Sequence, residues 1–397
     1  MTAWPRIFVY YLCGVFAAAQ LGKLAALAPL ISRDLHLGLA AMAALTSLLE
    51  VSGALLGGAA GRHLPRFGLQ RGLAFAMLAL ALGAGGAALA QGVPLVTVAR
   101  LCESLGYLVT VVAAPVLIAT AAPPQRQAAA MTLWSTFVPV GMAFGAFAYA
   151  QAAGLSNWRW AQGLSVAVGL ALAAGLLAMQ AHTERAAPQP PAGPTPALRQ
   201  RTGAPLWLLV ASFGVYALAE VGLLALMPSL LTRAGLPLAE AGAWTAAAAL
   251  ANVPASVIGA RLTRRPGFVP RALVLSLLVS GALYPLAFAF GAPPVQLAVA
   301  AVLTNLASGV FASLVFALLP RVAGSPDRLS LASGRLTQFG ASGALLGPPL
   351  IGSIVERAGW QAAGATCLAL SAVAAGLAWF SSRRPSATAD SSARQPC

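Results

Sequence analysis

The chain has 397 residues, 59% of them hydrophobic and only 8% charged, with a formal net charge of +15. That balance excludes an ordinary soluble domain, in which about a quarter of residues are charged. The positive charge alone would suit nucleic acid, but it clusters between apolar stretches, as membrane topology requires.

Twelve stretches reach the roughly 20 apolar residues that cross a hydrocarbon core. They lie near 7–31, 39–60, 72–91, 94–121, 128–150, 159–181, 205–231, 238–260, 270–291, 293–319, 333–355 and 360–381. Lipid offers the backbone no hydrogen-bond partners, so each must be a helix. Alternation with a period of two is absent, which argues against a β-barrel. With the N-terminus placed inside, only Arg33, Arg159, Arg233 and Arg357 fall on the outer side, and Lys23 and Arg100 fall within spans. Every other basic residue falls inside, so both termini are expected in the cytoplasm and the chain in the cytoplasmic (inner) membrane. Nucleic acid is therefore not an expected partner; a lipid bilayer and a small-molecule substrate are, for a monomer.

Span 1 carries Gln20 and Lys23, the only lysine of the chain. A compact ammonium at that depth has a movable protonation state, unlike arginine. Span 2 carries Glu50, one turn after Thr46. Buried ionisable groups of this kind are functional candidates facing a cavity. The loop that follows reads Gly61-Arg62-His63-Leu64-Pro65-Arg66-Phe67-Gly68-Leu69-Gln70-Arg71. Gly61, Arg66, Gly68 and Arg71 resemble the loop signature of the major facilitator superfamily, with Pro65 where that signature has an acid. The resemblance implies a cytoplasmic clasp that gates the pathway, formed by Gly61, Arg62, Arg66, Gly68 and Arg71.

Span 4 places Arg100, Glu103, Ser104 and Tyr107 on one helical face. This is similar to the family's fourth-helix motif, which in proton-coupled members implies an arginine that moves protons or holds an acid's charge. Span 5 has Gly141 and Gly145 after Pro139, without the antiporter-type Gly-Pro order. Residues 183–203 contain five prolines and read as a semi-rigid linker. Span 7 places Tyr216 and Glu220 one turn apart, with no obvious cation in that half. Span 8 offers Asn252, and its closing loop repeats the basic punctuation with Arg261 and Arg265. Asn305 on span 10 and Gln338 on span 11 line the expected pathway. Span 11 ends in a small-residue run with Gly343, Gly347 and Pro348, which suits close helix packing and a bend.

The same marks recur at an offset of about 200: Gly14, Gln20 and Gly22 answer to Gly214, Glu220 and Gly222; Arg62 and Arg66 to Arg261 and Arg265. A duplicated apolar array reads as a transporter of two similar bundles. The expected fold is all-α and integral to the membrane, with twelve helices in two pseudo-symmetric six-helix bundles. The bundles are residues 1–182 and 204–382, joined by the linker 183–203 and followed by a tail, 383–397.

The resemblance covers nearly the whole chain and implies alternating access by a secondary transporter. The expected substrate is a small organic solute and the expected direction is proton-coupled efflux. Import of an organic anion held by Lys23 and Arg100, or a non-transporting receptor or scaffold, are the alternatives. Lys23, Glu50, Arg100, Glu103 and Glu220 are expected to form a charged cavity with one carboxylate, Glu220 first, left to take a proton. The alternative is two structural ion pairs, Lys23 with Glu50 and Arg100 with Glu103, with Glu220 merely protonated. His36, His63 and His182 lie outside the spans, and Cys13, Cys102, Cys367 and Cys397 follow no ligand spacing. No enzyme, metal or cofactor is expected, and the driving force is a proton gradient.

Overall fold

The computed structural model describes residues 3–64, 68–123, 126, 130, 133–134, 136–155, 157–183, 204–263, 265–323 and 326–383. Within them the chain is helical. The linker 184–203, the tail beyond 383, Arg66 and the start of the fifth expected span lie outside the described residues.

The helices follow the expected order. We label them α1 (Ala3–Asp34), α2 (Leu39–Ser47 and Val51–His63), α3 (Leu69–Ala88), α4 (Val93–Ala121), α5 (Phe137–Leu155) and α6 (Trp158–Thr183). After the linker come α7 (Ala204–Arg233), α8 (Leu238–Leu250 and Asn252–Leu262), α9 (Val269–Ala287) and α10 (Pro294–Ala323). The last helix, Pro326–Arg383, is 58 residues long, and eleven helices are apolar and long enough to cross a membrane. A straight helix of that length would reach about 87 Å, far beyond a hydrocarbon core of about 30 Å. Gly359 resolves this: at φ 84° and ψ 174° it breaks the helix. That conformation is open to glycine and strained for other residues. The break divides the segment into α11 (326–358) and α12 (360–383) and gives twelve crossings. The described chain ends therefore share one membrane face, here the near face; Asp34, Leu39, Arg233 and Gly359 mark the far face.

Glycines set the packing, and they do so twice. A side chain on Gly141 would strike the Val15 carbonyl, and one on Gly145 the Ala19 carbonyl, so α5 lies directly on α1. A side chain on Gly343 would strike the Gly214 carbonyl, and one on Gly347 the Leu218 carbonyl, so α11 lies in the same way on α7. Small residues let backbones approach where lipid supplies no hydrophobic drive. Large apolar side chains such as Phe75, Leu82, Val98 and Trp160 stay exposed, as a lipid-facing surface requires.

The apolar core is divided by depth. Near-face residues form two separate clusters, one from residues 7–176 and one from residues 206–378. At the far face the core crosses between the halves: Leu39 and Ala43 of α2 pack with Leu223, Met227 and Leu230 of α7. Ala143 and Ala146 of α5 pack with Ala246 and Ala249 of α8. The described halves are thus sealed together on the far face and stay separate clusters on the near face.

Candidate functional site

Two polar clusters lie inside the bundle, one in each half. The first is built on Glu103 of α4. Its Oε1 accepts from Lys23 Nζ of α1 at 2.5 Å, and its Oε2 accepts from Arg100 Nη1 at 2.7 Å. All three side chains are 3% exposed or less. A buried carboxylate with two cations satisfies the rule that interior charge must be paired and hydrogen-bonded. Lys23 Nζ also lies 5.9 Å from the Tyr149 ring centre. The Tyr149 hydroxyl bonds Ser165 at 2.6 Å, and Ser165 donates to Gln20 Oε1 at 3.1 Å. Gln20 in turn donates to the Phe16 carbonyl at 2.9 Å.

Arg100 does a second task. Its Nη2 donates to the Thr46 carbonyl at 2.9 Å, where α2 is interrupted. Residues Leu48–Glu50 form a 3-10 turn between the two α-helical segments. Ser104 stitches the same interruption: its hydroxyl donates to the Leu49 carbonyl at 2.8 Å and accepts from the Ser52 amide at 3.0 Å. Backbone freed by a helix break inside a membrane needs such partners. Glu50 closes the turn, faces the Tyr107 hydroxyl and feels the Arg100 charge.

The second cluster is built on Glu220 of α7. Its Oε2 accepts from Ser308 at 2.8 Å and from Tyr284 at 3.2 Å. Asn252 and Tyr216 lie beside it. Asn252 also donates to Asn305 Oδ1 at 3.3 Å. Among the described residues no cation pairs with Glu220, and its Oε1 is buried without a partner.

Several expectations are corrected by this geometry. Lys23 pairs with Glu103 and not with Glu50, because α1 packs on α4 at that level. Among the described residues the charges fall in two clusters, one in each half. One cavity between the halves is about 20 Å³, room for about one water. It is lined by Leu21, Ala25, Met142, Val221, Ala225, Ala344 and Pro348, with Thr46, Ser47 and Glu50 as its polar wall. Of the ionisable candidates only Glu50 reaches it. Gln338 bridges the halves, donating to the Ala54 carbonyl at 3.2 Å. Gly343 and Gly347 are packing positions between α7 and α11.

The remaining gating candidates sit at the near face. Gly61 and Arg62 end α2, and nothing is described of the Arg62 side chain. Gly68 turns the chain at φ 86°, and Arg71, Arg261 and Arg265 are exposed. Sequence reasoning passed over Tyr284, Ser165 and Tyr149. A hydroxyl deep within a span was the available signal in each.

The sequence profile of the Major Facilitator Superfamily matches residues 10–293 and 217–396. A Bacillus subtilis protein named as a metabolite transport protein, YwtG, is 30% identical over 128 residues. That match takes in 32% of this chain and 28% of the relative, so the chain matches less than a third of its length. Among solved structures, a bacterial homologue of the human lysosomal transporter Spinster, inward-facing and occupied, superposes with a TM-score of 0.79 at 17% identity, over 95% of this chain and 96% of that one. A peptide transporter, POT, superposes with a TM-score of 0.74 at 15% identity, over 94% and 93%. Fold, repeated packing and profile agree: the chain belongs to the Major Facilitator Superfamily, and is a multi-pass membrane transporter and not an enzyme.

Proposed function

We propose that the protein is a secondary active transporter that exports a small organic solute in exchange for protons, by alternating access across the cytoplasmic membrane. The near face is the cytoplasmic one in this reading, by the bias of arginines toward it. Glu220 carries the proposal. It is a buried carboxyl that, among the described residues, has no cation beside it and one oxygen without a partner, which suits a group that gains and loses a proton within the cycle. Glu103 has the opposite character, since two cations hold it. Import of an organic anion on Lys23 and Arg100 is the weaker reading, because both are already engaged by Glu103.

The test is transport in proteoliposomes under an imposed pH gradient, with a panel of labelled organic cations, anions and neutral solutes. Glu220→Gln keeps an oxygen for Ser308 and Tyr284 while removing the titratable group. We expect it to lose gradient-driven movement and to retain exchange of solute for solute. Transport by Glu220→Gln with the unmodified pH dependence would sink the coupling assignment.

A further inference from the structure

At the far face a carboxylate of one half is seated on a helix end of the other. Glu356, near the end of α11, accepts from the Ala40 amide at 3.0 Å. Ala40 is the second residue of α2, whose cap position, Gly38, has no side chain to offer. The first amides of a helix need acceptors and attract negative charge. Here the acceptor comes from the opposite half. Two glycines make the room. A side chain on Gly38 would collide with Glu356 Oε1, and one on Gly352 would lie 3.0 Å from the Ala40 Cα. Gly38 has an ordinary φ of −64°, so its backbone does not demand glycine. The neighbouring carboxylate does. The matching seam between α5 and α8 has no charged counterpart among the described residues: alanines meet there, and Gln151 Nε2 reaches the Ala239 carbonyl at 3.4 Å.

We propose that Glu356 is the latch of the far face. Seated on the α2 N-terminus, it holds the two halves closed on that side; when they part, the Ala40 amide and the carboxylate return to water. The assignment rests on the alternating-access reading and adds to it the residue that sets the balance between the two states.

Electron–electron spin distances test it in the full chain, reconstituted in lipid, with Cys13, Cys102, Cys367 and Cys397 replaced by serine. Labels at His36 and Arg233 sit on the far face, one in each half. Glu356→Ala should raise the ratio of long to short distances roughly threefold, the scale of a charge at a helix end. Glu356→Gln should raise it less, because the amide oxygen still accepts from Ala40. Gly38→Ala should act in the same direction by unseating the carboxylate, and should add nothing on top of Glu356→Ala. Two distances whose ratio ignores Glu356, or a Gly38→Ala effect undiminished in the double variant, overturn the latch alone. One distance in every variant overturns the latch and alternating access together. Should Glu356→Ala not fold, Glu356→Gln and Gly38→Ala carry the same comparison.

Discussion

Glu103 is the residue on which the first half turns. A single carboxylate in the hydrocarbon layer is costly, and so is a single ammonium; here one acid holds two cations and spreads the cost over three side chains. Removing the acid leaves both cations uncompensated, whereas removing Lys23 still leaves the Arg100–Glu103 pair. Glu103→Leu should therefore lower stability by about 3–5 kcal/mol, read as thermal unfolding in detergent, and Lys23→Met should lower it less. Replacing Lys23, Arg100 and Glu103 together by apolar residues should cost less than Glu103→Leu alone, because no orphan charge remains. A stable Glu103→Leu protein would contradict this. The sequence marks these residues as important, since ionisable groups at such depth are rare. It could not pair them. Lys23 and Glu103 are 80 residues apart, and only the packing of α1 on α4 decides that they meet.

At the scale of the element, the two interrupted helices have different causes. In α8 the second segment begins just before Pro254, which has no amide to give and crowds the carbonyl four residues back. That break is visible in the letters. In α2 the turn Leu48–Glu50 contains neither glycine nor proline. Nothing local announces it, and a continuous span is the natural reading. The interruption is held from outside, by Arg100 on the Thr46 carbonyl and Ser104 on Leu49 and Ser52. Ser104→Ala should then leave two buried backbone groups unsatisfied, at about 1–3 kcal/mol. Hydrogen exchange should rise at Ser52 and its neighbours while the far end of α4 keeps its protection. Equal rates in both proteins would show that the serine is a bystander.

For the whole molecule, the repeat is legible in the sequence because glycine cannot be replaced where backbones touch. The offset of Gly141 and Gly145 against Gly343 and Gly347 returns as one packing motif used twice. How the halves close on each other is not legible. It depends on surfaces of alanine, and alanine is everywhere in this chain. The seam of Ala143, Ala146, Ala246 and Ala249 is nevertheless part of what seals the far face. Gly242 faces Ala150 across it, close enough that added side chains would touch. Gly242 must stay glycine, but a cysteine pair at Ala143 and Ala246, within the same seam, should cross-link on oxidation. Transport should then stop, and a reductant should restore it. Continued transport with the bridge formed would show that this seam does not open in the cycle.

The burial of the one lysine has a practical side. An amine-directed reagent meets no accessible ε-amino group on the intact molecule, since Lys23 is 1% exposed and clasped by Glu103. Acylation at Lys23 should appear only once α1 leaves its seat. Peptide mass mapping over a denaturant series would then time the loss of the N-terminal half through a single atom, with no dye or tag added.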